Sequence, residues 1–183
     1  LSSLATDCGI THNTAKAWIS VLEASYILFL LPPHHANFSK RLIKSPKLYF
    51  YDTGLLCWLL GIQEANQLAA HPLRGSIFET MVVAELVKTR FNMGERVTFH
   101  FWRDSNGNEV DVIADVGTKL MPVEIKSGQT LNREFFAGLE RWMGFAGDRA
   151  VAPALVYGGT ETHERKGIRV FGWNAVGQVL EAQ

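Results

Sequence analysis

The stretch NEVDVIADVGTKLMPVEIKS, residues 108–127, decides how the rest of the chain is read. Two strand-like runs, Glu109–Val116 and Lys119–Lys126, flank Gly117-Thr118. Glycine at the first position of a two-residue loop suits a type II′ hairpin turn, because it tolerates positive φ there. A hairpin closed on Gly117 and Thr118 pairs Val116 with Lys119, and the ladder then sets Asp111 across from Glu124 and Glu109 across from Lys126. Side chains directly opposite lie roughly 5 Å apart at Cβ and point to one face. Two carboxylates so placed repel each other, and a metal cation between them reverses the sign. The alternation predicts a core face of Val110, Val112, Ala114 and Val116 with Met121, Val123 and Ile125. Asp111, Glu124 and Lys126 fall on the other face, where a lysine beside two carboxylates can position a water or a leaving phosphate oxygen. An ordinary hairpin with a solvated charged face accounts for the spacing equally well, so the rest of the chain has to decide.

Its 183 residues, 47% hydrophobic and 20% charged, are enough to bury a core in one domain or two small ones. The formal net charge is zero, so there is no global pull toward nucleic acid and any DNA contact rests on a local patch. Two cysteines, Cys8 and Cys57, are too few for a disulfide framework or a zinc cluster. Their apolar settings predict buried free thiols in a reducing, cytoplasmic compartment. No signal peptide is visible, and the longest apolar run, residues 24–31, is too short to span a bilayer, so no membrane contact is expected. The chain begins at Leu1 inside helix-like sequence, which suggests a fragment of a longer protein.

Ser2 or Ser3 can cap a first helix through Leu4, Ala5 and Asp7, which Gly9 breaks. A second helix from Thr11 carries Ala15, Trp18, Ile19 and Leu22 at helical spacing, with Trp18 expected in the core. Residues 26–31 and 47–51 read as strands around Pro32-Pro33, completing a winged-helix layout. The candidate reading helix offers only His12, Asn13 and Lys16 to base edges, so a structural role is expected of it. Lys40, Arg41, Lys44 and Lys47 supply phosphate contacts in the wing. Asp52 is a candidate N-cap for a short helix through Leu55, Leu56, Trp58 and Leu60. Residues 62–73 read as less regular, and His71-Pro72 marks a boundary between residues 1–73 and 74–183. His34, His35 and His71 lack acidic or cysteine partners at ligand spacing and read as loop histidines.

In the second part Ser76 can cap a helix through Ile77, Phe78, Met81, Val82, Leu86 and Val87. That helix is apolar on most sides, so periodicity does not choose between Glu79 and Glu85 as its functional acid. A strand over residues 96–102, a turn at 105–108 and the hairpin follow. After them come a helix holding Phe135, Phe136, Leu139, Trp142 and Met143, a buried strand at 154–157, a strand at 168–171 and a final helical stretch at 175–180. Helix, three strands, helix, strand predicts a mixed α/β (α+β) domain behind the winged-helix-like one.

Three pieces, Gly75-Ser76-Ile77-Phe78-Glu79, Glu109-Val110-Asp111 and Val123-Glu124-Ile125-Lys126-Ser127, together resemble the PD-(D/E)-x-K nuclease superfamily. The resemblance implies a restriction-endonuclease-like αβββαβ fold, with Asp111 and Glu124 as Mg²⁺ (or Mn²⁺) ligands and Lys126 as the catalytic lysine. It makes Glu79 the helix acid, touching the metal directly or through water. Residues 43–55, IKSPKLYFYDTGL, are similar to a distinctive segment in a family of bacterial and archaeal AAA-type ATPases. In that family a P-loop domain precedes a C-terminal domain of unknown function, which begins winged-helix-like and ends nuclease-like. This second resemblance covers nearly the whole chain and implies an ATPase domain on its N-terminal side. No Gly-x4-Gly-Lys-Ser/Thr stretch is present, so ATP hydrolysis is not expected of these residues.

Two functions are therefore expected. One is a Mg²⁺-dependent phosphodiesterase acting on nucleic acid, DNA first, its grip supplied by the ATPase domain or by homo-oligomerisation. The other is a non-catalytic module that binds protein or DNA and regulates or targets the ATPase, with contacts through the winged helix and an apolar connector near Trp58. A sequence-reading DNA-binding protein, gripping through residues 40–47, is a third reading. Arg103, Asp104, Ser127 and Gln129 flank the acids as candidate substrate contacts.

Overall fold

The computed structural model describes residues 2–34 and 45–181. Lys40, Arg41, Lys44 and His35, named above for the wing and its loop, lie outside the described residues. The first helix, α1 (Ser2–Asp7), stops before Gly9, whose φ is +65°. The second, α2 (His12–Ala24), starts on Thr11, whose side-chain oxygen accepts the Thr14 N–H and so satisfies one of the free donors of a helix start. Ala15 and Ile19 form its buried line. Trp18, expected in the core, is instead 58% exposed, because α2 turns the Ala15–Ile19 line inward and leaves Trp18 and Val21 outside. Strands β1 (Leu28–Leu31) and β2 (Lys47–Phe50) then pair antiparallel as a separate two-stranded sheet.

Asp52 caps α3 (Thr53–Leu59) as expected, accepting the Leu55 N–H at 2.5 Å. The stretch read as irregular contains a further short helix, α4 (Ala65–Ala70). It carries no apolar stripe to betray it and rests on a reciprocal capping box between Glu64 and Gln67. Helix α5 (Arg74–Asn92) begins ahead of Ser76, with Leu73 at the N-cap and no side-chain cap. Ser76 is therefore inside the helix, where its carbonyl accepts the Thr80 hydroxyl.

Six strands make the main sheet. They are β3 (Phe99–Arg103), β4 (Glu109–Val116), β5 (Lys119–Lys126), β6 (Ala154–Tyr157), β7 (His163–Arg165) and β8 (Ile168–Gly172), in the order β3-β4-β5-β6-β8-β7. The β3-β4-β5 part is antiparallel, β5, β6 and β8 run parallel, and β7 returns antiparallel to β8. Helix α6 (Glu134–Ala146) makes the crossover that a parallel β5–β6 pair requires. A 3₁₀ segment, Trp173–Val179, ends the described fold. The mixed α/β class and the αβββαβ order of α5, β3–β5, α6 and β6 are as expected. Strand β7 was not, because all three of its residues are exposed and give no apolar pattern.

The sheet is covered on both faces, the usual layering for such a fold. Val82, Val83 and Leu86 of α5 pack on Val112, Ala114, Met121 and Val123. Leu139 and Trp142 of α6 pack on Val110, Ile113, Leu155 and Val170. Leu31 and Tyr49 of the small sheet belong to the α5-side cluster, so the hairpin shares its core. The same hairpin lies along the β3 edge, where Phe101 donates to the Pro32 carbonyl at 3.0 Å and accepts from His34 at 2.7 Å. Cys8 is exposed and Cys57 half-buried, which corrects the expectation of two buried thiols: Cys8 lies in the turn just after α1 and Cys57 on a face of α3 that is only partly covered. Among the described residues, no helix is long and apolar enough to cross a membrane.

Candidate functional site

The central hairpin closes in the expected register, from Val116↔Lys119 to Val112↔Val123, with Gly117 at φ +59°. Its strict alternation then fails at Asp111. On the β3 side, His100 pairs with Ile113 but Trp102 pairs with Val110, so Asp111 and Val112 together face Phe101. This is a β-bulge, a device that re-aims a side chain. It moves Val110 out of the face it was expected to share with Val112 and into the α6-side cluster. Asp111 turns its carboxylate toward β5, where Oδ2 accepts the Ile125 N–H at 2.9 Å.

Asp111 and Glu124 are both buried, at 8% and 5% exposure. Lys126 donates to Glu124 Oε1 at 2.5 Å. The other oxygen, Glu124 Oε2, is buried with no hydrogen-bond partner. Helix α6 passes close by because Gly138 faces this point. A Cβ on Gly138 would stand 3.1 Å from the Glu109 carbonyl and 3.3–3.4 Å from both Glu124 carboxylate oxygens. Gly138→Ala should gain roughly 1 kcal/mol of helix propensity, yet a lower melting temperature is expected because neither the β4 backbone nor the buried carboxylate has room to retreat. A raised melting temperature would show that the close approach does not hold Glu124.

Of the two acids of α5, Glu79 is the one brought beside Lys47 and Tyr49. Glu85 pairs on the surface with Lys88, whereas Glu79 accepts from the Tyr49 hydroxyl at 2.5 Å and from Lys47 at 2.8 Å. Lys47 is the largest departure from expectation. It was placed among the wing residues that contact phosphate, and it stands inside the acid cluster instead. Its Nζ is 2.8 Å from Glu79, 3.6 Å from Asp111 and in a closer pair with Glu109, and lies 5.5 Å from the centre of the Phe101 ring. The cause is local. Lys47 and Tyr49 sit two apart on β2 and so share a face, and Tyr49 is anchored in the α5-side core. Lys47, Tyr49 and Glu109 are thus site residues that sequence reasoning missed; the one available signal was the alternation of Lys47 and Tyr49 within residues 43–55.

The flanking candidates divide. Asp104 is fully buried and holds the turn before β4, accepting the N–H groups of Asn106 and Asn108, so it is structural. Arg103 reaches Glu109 at 3.5 Å. The Ser127 carbonyl accepts from Arg74 at 2.6 Å. Ser127 and Gln129 border an open groove of about 320 Å³ whose apolar walls include Cys57, Leu68, Ile77, Phe78 and Trp173.

The charges in the site are held under tension. Burial pushes Asp111 up to about 6, reinforced by Glu79 and opposed by Lys47, Lys126 and the Ile125 N–H. Burial and the charge of Asp111 push Glu124 up to about 8, against Lys126. Burial works to lower Lys47, but Asp111 and Glu79, with hydrogen bonds to Glu109 and Glu79, outweigh it and hold the ammonium above its ordinary range. Lys126 behaves the same way, burial lowering it and Glu124 raising it further. Such sets, pushed from their ordinary values by burial plus specific partners, mark candidate functional sites.

The donors suit a hard divalent ion: carboxylate oxygens only, one of them buried and without a partner. As they stand, no three His, Cys, Asp or Glu side chains among the described residues are gathered tightly enough to hold one. The cation beside Glu79, Glu109 and Asp111 is Lys47.

Residues 74–176, from the start of α5 into the last 3₁₀ segment, match the domain of unknown function DUF4143. The chain belongs to this family. The three nominated acids, Glu79, Asp111 and Glu124, and the nominated lysine, Lys126, lie within its DUF4143 segment, whereas Lys47 and Tyr49 lie in residues 1–66, which match another domain of unknown function, DUF8612. The DUF4143 chain is also 30% identical over 129 residues to the uncharacterized proteins Mb2031c of Mycobacterium bovis and Rv2008c of Mycobacterium tuberculosis. That similarity covers 70% of this chain and 28% of each relative, so the chain spans less than a third of the length of these curated relatives.

Proposed function

We propose that this DUF4143 chain carries a Mg²⁺-dependent phosphodiesterase site of the PD-(D/E)-x-K nuclease kind, joined in its full-length protein to a P-loop ATPase domain. The observation that supports this reading is the buried, unpartnered Oε2 of Glu124 beside buried Asp111, with Lys126 on the other Glu124 oxygen. A buried carboxylate oxygen left without a partner is costly, and a bound cation removes that cost. Asp111 and Glu124 would hold the ion, with Glu79 directly or through water, and the ion would polarise a phosphate and activate water. Lys126 keeps its ammonium at Glu124 and from there orients a water or meets charge on the leaving oxygen. With zero net charge, the chain relies on its ATPase domain, or on a homo-oligomer, for its hold on DNA. A cytoplasmic location belongs to the proposal and rests on two free thiols.

One observation favours the non-catalytic alternative. The apolar groove adjoins α3, where Trp58 is 72% exposed and Leu59 and Leu60 follow it outward, a surface suited to regulating or targeting the ATPase through contact. Mn²⁺ titration by calorimetry separates the two. The parent is expected to bind Mn²⁺ and Asp111→Ala to lose it, and in a nuclease screen Lys126→Ala should lose cleavage while staying folded. A folded parent that binds no metal would transfer the assignment to the docking module.

A further inference from the structure

The acids Glu79, Glu109 and Asp111 come from α5 and β4, but the ammonium among them comes from β2 of the small N-terminal sheet. Lys47 is held there at both ends. Its backbone pairs with Leu31, and Tyr49, on the same strand face, is buried in the core with its hydroxyl on the same Glu79 oxygen. Its Nζ reaches oxygens of Glu79 and Asp111, two of the groups nominated for the metal. One monovalent ammonium therefore stands where carboxylates would converge on a divalent ion.

Resting on the metal reading above, we propose that Lys47 is a positioning residue that sets the metal affinity of the site: it serves as a stand-in cation for Glu79, Glu109 and Asp111, and a divalent ion must displace it to bind. Both cations draw on the same oxygens, so the energy each gains from them is unavailable to the other. A unit charge about 3–4 Å from carboxylates in a partly buried site is worth well over a factor of ten in binding. The lysine also ties metal loading to the seating of the N-terminal sheet, because β2 carries it. Anything that shifts that sheet changes the affinity of acids in the other part of the chain.

Calorimetric Mn²⁺ titration of the parent, Lys47→Met and Lys47→Arg tests this. Methionine keeps the length and apolar stem without the charge, and Lys47→Met is expected to bind Mn²⁺ about tenfold or more tightly. Lys47→Arg, which keeps a charge able to grip carboxylates bidentately, is expected to bind no tighter than the parent. In the parent itself, the ¹³Cε resonance of Lys47 should move during a Mg²⁺ titration with the midpoint of a Mg²⁺ calorimetric titration, a readout that needs no variant to fold. A parent that binds Mn²⁺ while Lys47→Met gains nothing, or while the Lys47 resonance stays still, overturns the inference and leaves the metal site standing. No binding by the parent or any variant overturns both.

Discussion

Glu124→Gln is expected to abolish metal binding and any phosphodiester cleavage while making the metal-free protein more stable than its parent at about pH 9. The two effects have one cause. Glu124 is buried, its Oε2 has no partner, and its carboxyl is pushed up to about 8. Glutamine resembles the protonated form that the metal-free fold prefers, so near pH 6 the variant and parent should melt within a degree or two of each other. Above about pH 8 the parent must bury a charge that only Lys126 offsets, and the variant need not. Groups kept at the expense of stability are those that function needs, and their removal is a recurring way to stabilise an enzyme. Differential scanning calorimetry in chelator at both pH values reads the result. A variant less stable than the parent at about pH 9 would mean that the carboxylate is an ordinary structural group, and the catalytic reading would lose its main support.

The metal-free parent should lose stability as pH rises from about 4.5 to about 8, opposite to the acid denaturation of most proteins. The folded state holds the Glu124 proton more tightly than the unfolded chain, whose value is near 4.5. Stability from that proton is fully present below 4.5 and is lost as pH climbs to the folded value of about 8. Asp111 adds to the same slope between its ordinary 3.8 and about 6. At about 1.4 kcal/mol per pKa unit, the loss amounts to a few kcal/mol. Lys47 acts in the usual direction for a cation with partners: its contribution persists to its ordinary value near 10.5 and is lost only above it. Denaturant melts across pH in chelator measure the slope, and Glu124→Gln should remove most of it. A flat or rising profile from about pH 5 to 8 would contradict the burial and charge argument for both acids.

The central hairpin was legible because its two signals are local: alternation on each strand and Gly117 at the turn. The bulge at Asp111 was not, since an extra residue is visible only against a partner strand, and Phe101 supplies it from β3. Lys47 shows the same limit at longer range. The acids it meets are 32 or more residues away in the chain, and only the packing of β2 on α5 brings it to Glu79 and Asp111. Glu79 is named by the resemblance alone, and its distinction from Glu85 is visible only in space, where Glu79 meets Tyr49 and Glu85 pairs with Lys88. Helix α4 and strand β7 escaped because neither buries a residue, so the hydrophobic pattern had nothing to report. Trp18 misled for the converse reason: an aromatic residue at helical spacing reads as core even where, among the described residues, no element covers it.

The two margins of the six-stranded sheet carry a consequence for self-association. At one margin, both backbone groups of Phe101, the middle residue of β3, are already engaged by Pro32 and His34. At the other, β7 is only three residues long and presents His163, Glu164 and Arg165 to solvent. Short, charged or covered margins refuse an incoming strand. Among the described residues, neither margin of the six-stranded sheet is a long, bare edge of the kind that templates strand pairing between copies. Exposed apolar side chains lie on helices instead, among them Trp18 and Val21 on α2 and the outward row of Trp58, Leu59 and Leu60 on and just after α3.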